Sequence, residues 1–219
     1  MHRHLGERPV ASVGRLMPAP DDTMRAPPAF SVCVYCGSRP GRSALHAEHA
    51  RATGRWIGSH GGRLIYGGGR NGLMGMVADA TLESGGTVVG VIPEALVNQE
   101  VAHRACTELH VVDTMHERKR MMAERADVFL ALAGGIGTFE ELFETWTWRQ
   151  LGYHDKPIGI LNSAGYFDAL LAFLRSSVDQ QFMNDWQMNL VRVGTEPGEL
   201  LPALVQAAGL PGADRLQAI

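Results

Sequence analysis

A three-layer α/β fold, with a Rossmann-like and mostly parallel sheet covered by helices on both faces, is predicted from three observations. Apolar, β-branched runs of strand length recur from residue 31 onward. Segments long enough for a helix separate them. Glycine-rich turns stand where several of the strands end. Strands joined through helix-length connections make right-handed crossovers, and such crossovers build a parallel sheet buried on both faces.

The elements follow in order. Residues 31–35 form a short apolar strand, and after the loop Cys36-Gly-Ser-Arg-Pro-Gly41 the hydroxyl of Ser43 caps a helix to about Ile57. Residues 63–66 are a second strand. It runs into Gly67-Gly-Gly69-Arg-Asn-Gly72 and a helix over 73–84, which Gly85 and Gly86 stop. A third strand spans 87–92, a loop with some helix spans 93–104, and a fourth strand spans 109–112. Thr114-x-x-Glu117 reads as a capping box opening the next helix. The strand over 128–132 leads through Ala133-Gly-Gly-Ile-Gly137 into a helix over 138–151. A strand at 157–161, a helix at 166–180, a strand near 190–193 and a helix at 196–208 complete the pattern.

The 219 residues suit one domain: 45% are hydrophobic and 20% charged, ordinary values for a globular chain with a sizeable core. Residues 1–28 are rich in Pro, Arg and Asp without period and read as a disordered extension, dispensable for chemistry; residues 29–219 read as a single nucleotide-binding catalytic domain. A net charge of -3 argues against nucleic acid or a membrane surface as partner. No apolar run approaches the roughly 18 residues of a membrane span, and the N-terminus lacks a signal core, so a cytoplasmic location is expected. Cys33-x-x-Cys36 closes a strand rather than opening a helix and has no second ligand pair, which favours buried free thiols over a metal or redox site. No metal and no cofactor are expected.

Ligands of open α/β sheets sit at the carboxyl ends of the strands, where loops enter helices. Glycines there let backbone N–H groups approach an anion, and the positive end of the following helix completes a phosphate site. The loops 67–72 and 133–137 both have this form, and neither is a Walker A sequence nor a regular Gly-x-Gly-x-x-Gly. Arg118, Lys119 and Arg120 lie in the first turns of a helix, where the dipole disfavours cations. Three together suggest an external anion, whereas Lys119 or Arg120 alone reads as solvated charge. Glu141 has two readings of equal weight. Thr138-x-x-Glu141 matches a capping box, and a carboxylate beside the glycine loop also stands where a sugar on the bound phosphate would fall. Met121, Met122, Trp146 and Trp148 stand at helical spacing and read mainly as core, with an interface or base contact as the alternative.

Several long motifs, in order, resemble the LOG ("lonely guy") family of cytokinin riboside 5′-monophosphate phosphoribohydrolases, whose members have often been labelled lysine decarboxylases. They are Cys36-Gly-Ser38, the run from Gly67 to Gly75, Met115-His-Glu-Arg-Lys119, the run from Gly134 to Glu141, and the run from Gln150 to Pro157. The resemblance covers 31 to about 208. It implies hydrolysis of the N-glycosidic bond of N6-modified adenosine monophosphates, with AMP as a further substrate, to free base and ribose 5-phosphate. It implies Arg118 and Glu141 as the catalytic pair. It implies substrate contacts at Glu100, Arg118, Lys119, Gly135, Ile136, Gly137, Thr138, Phe139, Glu140, Glu141 and Thr147. Further phosphate or base contacts are expected at Ser38, Gly68, Gly69, Met74 and Gly134. A homodimer is also implied. Ala133 stands where the family usually has proline, a change that bears on loop geometry more than on activity. A nucleotide-binding carrier or sensor without turnover is the alternative; a dinucleotide-dependent oxidoreductase fits poorly, because the first loop lacks the required glycine spacing.

Overall fold

A computed structural model describes residues 27–97 and 101–210. The first 26 residues, and with them nearly all of the expected extension, lie outside the described residues, as does Glu100. Seven strands form one sheet: β1 (Ser31–Tyr35), β2 (Arg63–Tyr66), β3 (Thr87–Pro93), β4 (Glu108–Val112), β5 (Val128–Ala131), β6 (Ile158–Leu161) and β7 (Val191–Gly194). The order is β4-β3-β2-β1-β5-β6-β7, and every pairing is parallel. Among the described residues seven α-helices accompany them, none between β3 and β4 and two between β6 and β7: α1 (Ala44–Ser59), α2 (Gly72–Glu83), α3 (Met115–Arg125), α4 (Ile136–Gln150), α5 (Asp168–Asp179), α6 (Asp185–Met188) and α7 (Pro197–Ala207).

The period of two along each strand sorts the core into two layers. Val32, Val34, Leu64, Tyr66, Val128 and Leu130 face α1, α2 and α7. Cys33, Tyr35, Ile65, Phe129 and Ala131 face Met122 of α3, Leu142 and Trp146 of α4 and Leu174 of α5. Met122 and Trp146 are therefore core residues. Cys33 and Cys36 fall in opposite layers because they are three residues apart; both are free and buried, and burial pushes both thiols far above their ordinary range.

The chain leaves β1 toward β2 and β5 toward β6, in opposite directions across the sheet. Between the carboxyl ends of β1 and β5 a crevice opens, as it does at the switch point of any doubly wound sheet.

Besides α4, three elements differ from the sequence expectation, each for a local reason. The expected helix over 166–180 is a 3₁₀ turn (Ser163–Gly165) followed by α5, because Asn162 accepts from the Phe167 N–H at 2.7 Å and donates to Asp168 at 2.7 Å. The short α6 was not expected; Asn184 and Gln187 cap it reciprocally. At α3, Thr114 accepts from the Glu117 N–H at 3.1 Å, but the Glu117 carboxylate reaches the N–H of Asp113 rather than that of Thr114. Among the described residues no helix is long and apolar enough to cross a membrane.

Candidate active site

The crevice between β1 and β5 holds a cleft of about 800 Å³, within the usual range for a small-molecule site. One wall is the β1–α1 loop, from Cys36 to Ser43, with His46 of α1. The other is the β5–α4 loop, from Ala133 to Thr138. The two loops meet backbone to backbone on the floor. A Cβ on Gly134 would lie 2.8 Å from the Gly37 nitrogen, and one on Gly37 would lie 3.2 Å from the Gly134 Cα. Gly134 is thus required by packing, and Gly37 is tightly packed against it. Leu73 and Met74 of α2 line one side, Ala164 and Tyr166 another.

The β5–α4 loop is open where it matters for an anion. Helix α4 begins at Ile136 with Gly135 as N-cap, two residues earlier than expected. A Cβ on Gly135 or Gly137 would meet nothing within 4 Å. The first N–H groups of a helix have no intrahelical acceptor, and here they border the cleft. This start also removes the capping-box reading of Glu141. Thr138 lies inside the helix rather than at its N-cap, so a carboxylate at Glu141 has no N-cap amide of Thr138 to serve. Glu141 instead lines the cleft from the second turn, its side chain 12% exposed.

Arg118 faces it. The guanidinium is buried and anchored from behind: Nε donates to the Val91 carbonyl at 3.1 Å and Nη2 to the Gly67 carbonyl at 3.2 Å. Nη2 lies 4.0 Å from Glu141 Oε1. The two backbone anchors orient a planar cation beside a carboxylate, at the mouth of a helix N-terminus.

The glycine loop after β2 has a different duty. Gly67, Gly68 and Gly69 are buried and do not line the cleft. A Cβ on Gly67 would lie 1.9 Å from Arg118 Nη2, and one on Gly72, at φ +59°, would lie 2.3 Å from the Arg39 nitrogen. The segment after β3 covers this loop. His103 N–H donates to Gly68 O at 2.8 Å, Arg70 N–H donates to Val101 O at 3.0 Å, and the buried His103 ring meets the Tyr66 hydroxyl at 3.0 Å. Of the two glycine loops, one borders the cleft, and the other anchors Arg118 through the Gly67 carbonyl and backs the β1–α1 wall.

The three neighbouring cations diverge, because successive helical residues point about 100° apart. Arg118 enters the cleft. Lys119 turns to α4 and pairs with Glu140 at 2.5 Å and Glu144 at 3.0 Å. Partial burial opposes its charge, but these carboxylates outweigh it and raise its pKa. Arg120 is exposed beside Glu124. Among the described residues, no three His, Cys, Asp or Glu side chains gather as metal ligands.

Comparison with known proteins gives the lineage. The family model described as "possible lysine decarboxylase" matches residues 74–204. A cytokinin riboside 5′-monophosphate phosphoribohydrolase of Rhodococcoides fascians is 48% identical over 172 residues, 77% of this chain and 87% of that protein. The chain belongs to the LOG family. A probable LOG enzyme of Oryza sativa subsp. japonica is 42% identical over 181 residues, 83% of this chain and 79% of that one. A LOG enzyme of Arabidopsis thaliana is 40% identical over 173 residues, 79% of this chain and 81% of its own. Among solved structures, the molybdenum cofactor carrier protein of Chlamydomonas reinhardtii superposes with a TM-score of 0.61 at 20% identity, covering 82% of this chain and 98% of that one. At that identity the likeness is one of fold.

Of the residues that LOG resemblance singles out, the cleft brings together Arg118, Glu141, Gly134, Gly135, Ile136, Gly137, Thr138, Ser38 and Met74. Phe139 is half-buried and packs against Phe167. Glu140, paired with Lys119, and the exposed Thr147 lie outside the cleft of the single chain, as do Lys119, Gly68 and Gly69. Sequence reasoning missed Arg39, Arg42, His46 and Tyr166 as cleft residues. Their signal is the adjacency of β1 and β5, and for Tyr166 that of β5 and β6, a property of strand order and not of any motif.

Proposed function

We propose that this LOG-family chain is a hydrolase of nucleoside 5′-monophosphates. It cleaves the N-glycosidic bond of N6-modified adenosine monophosphates, and of AMP, to free base and ribose 5-phosphate. The observation that carries this reading is the pairing of Arg118 and Glu141 at 4.0 Å, on the edge of a cleft that the α4 N-terminus also borders. The names of its relatives support the same reaction.

The chemistry follows from the parts. The phosphate dianion takes the N–H groups at the start of α4, around Gly135 to Thr138, where no side chain of Gly135 or Gly137 stands in the way. The ribose then lies along the helix toward Glu141. Departure of the base leaves positive charge on the sugar, and a carboxylate at that point stabilises an oxocarbenium-like transition state and orients the attacking water. Arg118, fixed on two carbonyls, supplies a rigid fork to the ribose or phosphate. The deciding experiment is a base-release assay on the full chain with AMP, an N6-prenylated AMP and the matching nucleosides. Monophosphates should be cleaved and nucleosides hardly at all. Equal rates for adenosine and AMP would sink the phosphate anchor.

The same reading includes a homodimer. Leu151 and Tyr153, just past the end of α4, are 58% and 76% exposed, and they adjoin Thr147, which the cleft of one chain leaves outside. Light scattering at micromolar concentration should give twice the chain mass; a monomer mass would overturn this part.

A further inference from the structure

Tyr166 lines the cleft, yet none of the LOG motifs includes it. Its position is heavily determined. The preceding turn places Ala164 at φ +54° and Gly165 at φ +69°, a conformation that costs a non-glycine residue energy and needs outside support. That support is present: Asn162 is bonded to Gly194 O, the Phe167 N–H and Asp168, and Ser163 meets His49 Nδ1 at 2.8 Å. The Tyr166 ring stands edge-on to His46 at 5.6 Å and to Phe167 at 4.9 Å. Its hydroxyl donates to the carbonyl of Gly134.

The accepting carbonyl belongs to the peptide between Gly134 and Gly135. A peptide flanked by two glycines meets little steric resistance to flipping. In a planar trans peptide the C=O of one residue and the N–H of the next point in opposite directions, so holding the carbonyl also fixes the amide. The chain itself uses neither the Gly134 nor the Gly135 N–H in a backbone hydrogen bond among the described residues. We propose that Tyr166 is a positioning residue for the 5′-phosphate: by holding the Gly134 carbonyl it locks the Gly134–Gly135 peptide with the Gly135 N–H turned to the anion. This rests on the reading above that the phosphate sits at the start of α4.

The test is Tyr166→Phe, which keeps the ring and its packing and removes one hydroxyl. Titrations with ribose 5-phosphate and with adenosine separate the two ends of the ligand, and steady-state kinetics with AMP separate KM from kcat. Loss of one hydrogen bond predicts about three- to tenfold weaker ribose 5-phosphate binding and an equal rise in KM. Adenosine affinity should be unchanged, kcat should stay within about twofold, and the melting temperature should hold. Unchanged ribose 5-phosphate affinity overturns the proposal. So does an equal loss for adenosine, which would make Tyr166 a wall of the cleft rather than a support of the phosphate loop. A wild-type chain that binds ribose 5-phosphate but releases no base would overturn turnover alone and leave Tyr166 testable by titration. One that binds no ribose 5-phosphate overturns the phosphate site and this proposal together.

Discussion

The two glycine-rich loops look alike in sequence and do opposite work. After β2, glycine removes side chains so that protein can fill the space: a guanidinium lies where a Gly67 Cβ would be, and the β1–α1 backbone lies where a Gly72 Cβ would be. After β5, only Gly134 is close-packed; past it glycine leaves the space open, with nothing within 4 Å of a Cβ on Gly135 or Gly137, and both face the cleft. Glycine content alone therefore does not mark a phosphate site. What separates the two loops is whether protein fills the volume the missing side chains vacate. Arg118 connects the two, anchored on the carbonyl of Gly67 and reaching Glu141 on the far side.

The largest expected effect tests the open side. Glu141→Gln keeps size and one acceptor oxygen and removes charge. With the capping reading gone, the change should leave the thermal melt and nucleotide binding intact and lower turnover by at least about a hundredfold, the scale of a lost acid–base or electrostatic group. Near-wild-type base release would remove Glu141 from the chemistry.

A smaller pair of effects sharpens the contrast itself. Gly67→Ala forces its Cβ to 1.9 Å from Arg118 Nη2, and overpacking of that kind costs about 1–3 kcal/mol. The melt should fall, and turnover should fall with it as the guanidinium is displaced. Gly137→Ala places its methyl in open space inside α4. Alanine is the better helix former by about 0.8–1.0 kcal/mol, so the melt should hold or rise while KM for AMP increases. Parallel behaviour of the two variants, in melt and in kinetics, would break the distinction between a filled loop and an open one.

Much of this was legible in the sequence because it is local. Strand and helix positions follow from apolar period, turn chemistry and caps, and Ser43 caps α1 as its type predicts. The burial of Cys33 and Cys36 follows from their place at a strand. The start of α4 was not legible to the residue. Thr138-x-x-Glu141 has the letters of a capping box, but Gly135 already turns the chain into the helix, and Thr138 is buried within it. The scatter of Lys119, Glu140 and Thr147 away from the cleft was also invisible, since it depends on which face of α3 and α4 meets a neighbour.

The sequence by itself determined the alternating strands and helices, the family, and the identity of an arginine and a glutamate set among glycines. Those are matters of residue type and short-range spacing. Only the tertiary structure decided which strand ends lie side by side. With β1 next to β5, the crevice between them takes the loops after these two strands, and the loop after β2 is left behind it as support. Strand order arises from long-range packing of two apolar layers, and no short motif encodes it. That order closes one glycine loop around an arginine and leaves Gly135 and Gly137 of the other open to the cleft.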